Sequence, residues 1–169
     1  MIFVTVGSQE PFDRLVKTVD EWAASKGSTD VVAQIASNAW RPPHLRWSEF
    51  LSPDVFRQHL AEAELVVAHA GTGTILQAME LTVPLVIMPR RAYLRETRND
   101  HQLGTARRLA ATANISVAYD ERQLVSFLNE PGNAARATAL RDEASPELLD
   151  AIRSFLRDGT RAKPSAITS

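Results

Sequence analysis

The turn His69-Ala70-Gly71-Thr72-Gly73-Thr74 places an imidazole, two glycines and two threonine hydroxyls between an apolar run, Leu65 to Ala68, and the helically spaced Ile75, Leu76, Met79 and Leu81. A turn of this kind can hold a diphosphate. Its glycines let backbone come close to a ligand, the first amides of the helix have no intrahelical partner, and the hydroxyls add donors. The same residues also suit a turn that only packs helix on sheet. A dinucleotide fingerprint would need glycine where Leu76 stands, and no Gly-Lys-Ser/Thr of a P-loop occurs, so the spacing points away from NAD and ATP in their usual modes.

Three further groups carry polar chemistry. Asn99-Asp100-His101-Gln102 opens a helical stretch, and its amides and imidazole can donate and accept at once, as sugar hydroxyls require; Asn99 or Asp100 would equally serve as a helix cap. Gly7-Ser8-Gln9 follows the first apolar run at another strand-to-helix junction. The arginines 90, 91, 95, 98, 107 and 108 against Glu96 and Asp100 give a local charge of +4, suited to phosphate, an acidic sugar or anionic lipid, although most of these side chains are expected on a solvated loop and an exposed helix face. His44 and His59 stand in no motif, no metal-ligand spacing occurs, and no nucleophile sits in a Gly-x-Ser-x-Gly elbow. His59, on an amphipathic helix, is expected to be structural.

These groups need elements to position them. Ile2 to Val6 reads as a strand ending at Gly7, and Phe12, Leu15, Val16, Val19 and Trp22 recur at helical spacing up to Gly27. Strands follow at Val31 to Ile35 and near Leu45 to Phe50, then a helix headed by Pro53, the strand Leu65 to Ala68, and a strand Leu85 to Met88 closed by Pro89 and a polar loop, Arg90 to Arg98. A helix from about Asn99 to Ala111, a strand Ile115 to Tyr119 and two or three C-terminal helices complete the order. Short apolar strands alternating with amphipathic helices imply an α/β fold, a doubly wound parallel sheet covered on both faces. Ligands bind such sheets beyond the carboxyl ends of the strands, so the loops after Val6, Phe50, Ala68 and Met88 should share one edge.

The 169 residues suit one domain, expected over 1–158, with a disordered tail at 159–169. A net charge of −1 gives no general attraction to nucleic acid, and the absence of cysteine excludes disulfides, thiolate metal sites and a thiol nucleophile. The N-terminal apolar run is short and lacks a basic flank, unlike a signal peptide, and no stretch reaches the roughly 18 apolar residues of a membrane span.

Residues Thr5 to Gln9, His69 to Leu76, Pro84 to Arg91 and Arg98 to Gln102, in that order and spacing, resemble the C-terminal domain of family 28 glycosyltransferases, of the GT-B fold. The resemblance covers roughly residues 1 to 125. It is nearest to the small soluble subunits of two-component bacterial exopolysaccharide glycosyltransferases and to the soluble subunit of the eukaryotic transferase that adds the second GlcNAc to dolichol-linked chitobiose.

The resemblance implies a Rossmann-like donor half that binds a UDP-sugar, with no separate cofactor and no metal. By the family pattern, His69, Thr72 and Thr74 with the amides of Gly71 and Gly73 hold the diphosphate, and Gln102, with His101 and Asn99, binds the sugar hydroxyls. Phe50 and Leu51 flank the uracil, and Gly7, Ser8 and Gln9 close the site. Arg90 stands where it could neutralise phosphate or meet the carboxylate of a uronic acid. One position departs: Gln77 occupies the place where many relatives carry a ribose-binding glutamate, which would weaken that contact or share it with Glu80. The resemblance further implies that the acceptor half and the general base belong to a membrane-associated partner subunit. That partner would bring this cytoplasmic chain to the cytosolic face of a membrane and to a lipid-linked acceptor. A non-catalytic UDP-sugar-binding or regulatory module is the alternative.

Overall fold

The computed structural model describes residues 1–27, 30–98, 101–112 and 115–135. Six parallel strands form one sheet in the order β3-β2-β1-β4-β5-β6. They are β1 Ile2–Thr5, β2 Val31–Gln34, β3 Arg46–Ser48, β4 Leu65–His69, β5 Leu85–Met88 and β6 Ser116–Val117. Between them run α1 Asp13–Lys26, α2 Pro53–Glu62, α3 Thr72–Leu81 and α4 His101–Thr112, with α5 Glu121–Asn129 after β6. The strand order reverses between β1 and β4, which pair in register from Ile2 opposite Leu65 to Thr5 opposite Ala68. That reversal opens a crevice at the carboxyl ends of these two strands, where the Gly7 and His69–Thr74 turns begin.

Period-two alternation splits the strands between two cores. On one face Val4, Val6, Val67, Val86 and Met88 pack with Leu15, Val16 and Val19 of α1 and Leu124 and Leu128 of α5. On the other Phe3, Val66, Leu85 and Ile87 pack with Leu60 of α2, Ile75 and Met79 of α3 and Leu109 of α4. Both faces are covered, so the inner strands β1, β4 and β5 run apolar up to their carboxyl ends rather than alternating with polar residues. The helix ends follow local chemistry. Gly27 adopts φ 62° and returns its N–H to Ala23 and Ala24. Ser52 caps α2 through the Val55 amide with Pro53 in its first turn, and Asp120 caps α5 through the Gln123 amide at 2.8 Å.

The outer strands are shorter than their apolar runs suggest. The stretch expected at Leu45 to Phe50 pairs only over Arg46–Ser48, because Leu45 turns into the core while Phe50 leaves the sheet with 64% of its surface exposed. The stretch expected at Ile115 to Tyr119 pairs only over Ser116–Val117 at the far edge, against Val86 and Ile87. The loop after β5 contains a short 3₁₀ turn, Ala92–Leu94. The tail expected at 159–169, and any helix after residue 135, lie outside the described residues.

Candidate functional site

A cavity of about 710 Å³ opens at the β1/β4 crevice. Thirteen of the residues singled out from sequence line it: Gly7, Ser8, Gln9, Phe50, Leu51, His69, Gly71, Thr72, Gly73, Thr74, Gln77, Arg90 and Gln102. They come from loops after β1, β3, β4 and β5 and from the helices those loops lead into, as the parallel topology requires. Asn99 and the side chain of His101 lie outside the described residues.

The turn after β4 is built around the His69 imidazole. A Cβ on Gly71 would fall 2.0 Å from its Nε2, and one on Gly7, whose φ is +81°, would fall 2.8 Å from its Cε1. These two glycines therefore make room for a side chain, and bring the first and fourth strands' turns onto one ring. Gly73 has nothing within 4 Å of the place its Cβ would take. Its amide belongs to the first turn of α3, which starts at Gly71 with no side-chain cap and no acidic residue. The Gly71 amide donates to the His69 carbonyl at 2.7 Å, whereas the amides that follow it and the positive end of the helix dipole suit that first turn to an anion.

Burial is the main force that lowers the His69 pKa from 6.5 to about 4; the charge of Arg90 adds to it, and the nearby Thr5 backbone works the other way. The ring is thus neutral at pH 7, and its buried Nδ1 has no hydrogen-bond partner. Neutral imidazole can still donate to or accept from a ligand through whichever nitrogen the tautomer leaves suitable.

Arg90 departs from the solvated role expected of the basic stretch. It is 4% exposed, stacked 4.7 Å from the Phe12 ring centroid. Its guanidinium donates to the carbonyls of Glu10 at 2.7 Å, Pro11 at 2.5 Å, Val6 at 3.2 Å and Glu96 at 3.4 Å. Burial lowers its pKa, with the carboxylates of Glu10, Glu96 and Asp13 opposing. Its backbone N–H donates to Gln102 Oε1 at 3.1 Å. One residue thereby ties the loop after β1 to the loop after β5 through its side chain and to α4 through its backbone. A second brace runs outside it: Arg14 grips Glu96 with two bonds, at 2.6 and 2.9 Å, and Glu96 also accepts the Arg91 amide at 2.9 Å.

Gln77 lines the cavity, whereas Glu80, one turn further on, points to the surface and pairs with Arg57 at 3.2 Å through both oxygens. Sharing of a ribose contact by Glu80 therefore has no support in this arrangement. Sequence reasoning missed Glu10, Gln34, Phe56 and Thr97, which also line the cavity. Gln34 had a legible signal, a polar residue closing the apolar run Val31-Val32-Ala33; it is 3% exposed and its Oε1 lacks a partner. Phe56 had none, since its place beside Phe3, ring centroids 5.3 Å apart, depends on how α2 packs. Among the described residues no cluster of three or more His, Asp or Glu could hold a metal, and no helix is long and apolar enough to cross a membrane.

The profile of the glycosyltransferase family 28 C-terminal domain matches residues 1–148. The chain belongs to that family. A curated relative is the human UDP-N-acetylglucosamine transferase subunit ALG13, 28% identical over an alignment of 159 positions that covers 85% of this chain and 14% of the human protein. This chain thus spans only a small part of the length of that relative. Among solved structures, Acinetobacter baumannii MurG aligns with a TM-score of 0.57 at 17% identity, over 92% of this chain and 49% of MurG. The NMR structure of ALG13 aligns with a TM-score of 0.54 at 18% identity, over 80% of this chain and 87% of that one. The sheet is therefore Rossmann-like, as in the glycosyltransferase structures it aligns with, and the crevice at Gly7 and His69 lies at the carboxyl edge of its strands.

Proposed function

We propose that this chain is the UDP-sugar-binding subunit of a split glycosyltransferase. With a membrane-associated partner it transfers a hexose derivative to a lipid-linked acceptor in polysaccharide synthesis, exopolysaccharide being the expected product. The observation that carries the reading is the uncapped start of α3 at Gly71, facing a cavity lined by the family's donor-site residues. The amide of Gly73 with Thr72, Thr74 and His69 holds the diphosphate, the Gly71 amide being engaged by the His69 carbonyl, and the helix end stabilises the UDP leaving group as negative charge develops on it. Phe50 and Leu51, with Phe56, offer an apolar wall to uracil, and Gln77 reaches the ribose. Ser8 and Gln9 close the site from the β1 turn. Gln102, its Oε1 held by the Arg90 amide, turns its amide nitrogen to the sugar with the help of Asn99 and His101.

The acceptor hydroxyl needs a base, which this reading assigns to the partner, located with the chain at the cytosolic face of the membrane. Glu10, exposed at the rim, is the one carboxylate among the described lining residues, so Glu10→Gln with unchanged turnover in the assembled enzyme supports that assignment. Calorimetric titration with UDP and UDP-sugars tests the first step. Absence of UDP binding at millimolar ligand, with and without partner, removes the reading. A second reading, UDP-sugar binding without transfer, rests on Gln77 standing in the cavity without a carboxylate. Stable co-purification with a membrane subunit and sugar transfer by the pair would exclude it.

A further inference from the structure

The segment after β5 presents a feature that the donor site does not use. Tyr93 is 70% exposed and Leu94 44% exposed, adjacent at the tip of the 3₁₀ turn Ala92–Leu94. Arg95 follows in the left-handed region at φ 59°, a conformation uncommon for a long side chain, which ends the turn and throws the tip outward. Arg95 and Arg98 are exposed and take part in no ion pair among the described residues, whereas Arg14, Arg41, Arg46 and Arg57 are all paired. The tip is held firmly from behind, by Arg14 on Glu96, by Glu96 on the Arg91 amide and by Arg91 on the Tyr119 carbonyl. Leu94, Arg95 and Arg98 also border a second cavity, which shares Glu10 and Thr97 with the donor cavity.

We infer that Tyr93 and Leu94, flanked by Arg95 and Arg98, form a docking tip by which this chain itself touches an anionic bilayer surface and turns its donor cavity toward the lipid. An aromatic and a leucine side by side suit the interface between headgroups and acyl chains, and unpaired guanidinium groups beside them suit lipid phosphates. A protein partner is the poorer fit for the tip alone. A stable protein interface takes roughly 20 to 30 residues a side, whereas each cation near an anionic surface adds to membrane affinity by itself. The bracing means that little ordering accompanies contact. The tip lies in the loop after β5, at the same sheet edge as the donor cavity, so a chain resting on it presents the sugar where a lipid-linked acceptor emerges. The binding of the tip to lipid is independent of the proposed transfer; its orienting role rests on that reading.

The chain contains no cysteine, so one introduced thiol can carry a polarity-sensitive fluorophore. The full chain is labelled at Leu94→Cys or, as a control at the opposite sheet edge, at Ser25→Cys near the end of α1. Each is titrated with vesicles of phosphatidylcholine alone and of phosphatidylcholine with roughly one-third phosphatidylglycerol, up to millimolar lipid. The expected result is a blue shift at position 94 with the anionic vesicles only, and none at position 25. Arg95→Ala/Arg98→Ala should lower the partition roughly twenty-five-fold, about fivefold for each cation, while UDP affinity stays unchanged because neither residue lines the donor cavity. Three results would overturn the inference: no shift at position 94 with anionic vesicles, equal partition into both vesicle types, or a shift produced by the co-expressed acceptor subunit without lipid. Absence of UDP binding by the wild-type chain, with and without its partner, would sink the donor reading and leave the lipid result to stand separately.

Discussion

The His69 imidazole occupies the space that a side chain on Gly71 would need: a Cβ there would come within 2.0 Å of Nε2. Gly71→Ala must therefore displace the ring or the turn, at a cost of about 1–3 kcal/mol. Gly73→Ala meets nothing within 4 Å, and within a helix turn alanine is favoured over glycine by up to about 1 kcal/mol. Urea denaturation and UDP titration should then separate the two. Gly71→Ala loses stability and binding together, whereas Gly73→Ala keeps its stability and loses binding, because the added methyl stands at the open face of the first helical turn. A stable Gly73→Ala chain with wild-type UDP affinity would place the diphosphate elsewhere.

Arg90 holds two loops by their carbonyls, so its removal should act on the fold before it acts on any one ligand. Arg90→Met keeps an apolar stem over Phe12 but leaves the carbonyls of Val6, Glu10 and Pro11 without their donor, and is expected to cost about 3 kcal/mol in chemical denaturation. Arg90→Lys retains the charge and should recover part of that loss, since an ammonium cannot reproduce the planar fork. UDP-glucuronate and UDP-GlcNAc should lose affinity by the same factor. A selective loss for the uronate would show that the guanidinium reads a carboxylate despite its four backbone acceptors.

A folded-state pKa of about 4 for His69, below its ordinary 6.5, means that the unfolded chain binds more protons between those values. The native state is thus at full advantage above pH 6.5 and loses up to about 3 kcal/mol as pH falls to 4. His69→Gln should flatten that part of the stability curve measured by urea titration at successive pH values. Where the wild-type chain is still folded, below pH 6.5, UDP-GlcNAc, whose diphosphate keeps its charge there, should bind more tightly as pH falls, because an adjacent diphosphate favours the imidazolium. An affinity independent of pH would separate His69 from the phosphates.

Gln77 is the one place where the donor site lacks an expected charge, and Glu80 is committed to Arg57. Gln77→Glu should raise UDP affinity roughly fivefold, a charged acceptor being about 1 kcal/mol stronger than an amide toward a hydroxyl. The gain should vanish for the 2′,3′-dideoxy analogue of UDP. An equal gain for both nucleotides would mean that the new carboxylate acts on something other than the ribose.

Much of the fold was legible because its signals are local. Apolar runs such as Leu65 to Ala68 read as strands buried on both sides, Pro53 favours a helix start, and Gly27 favours a left-handed helix end. Parallel strands joined by helices send their carboxyl ends to one edge, so the grouping of Gly7, Phe50, His69 and Arg90 around one cavity follows from their positions after strands. The edge strands were overread for a matching reason: an apolar residue such as Leu45 or Ile115 can be buried without pairing in the sheet.

By itself, then, the sequence determined the order of elements, the parallel sheet and the edge on which a ligand must lie, since each depends on periodicity and short-range backbone chemistry. Only the tertiary structure decided what the groups at that edge do. It distinguished Gly71 and Gly7, which clear space for His69, from Gly73, which stays open, and it turned Arg90 from a solvent-facing cation into a buried clamp on carbonyls up to 84 positions away. It also brought in Gln34 and Phe56, and took Glu80 out of the site to Arg57. These outcomes depend on which chain segments share a few ångströms of space, and that is set by packing across the sheet rather than by any neighbourhood along the chain.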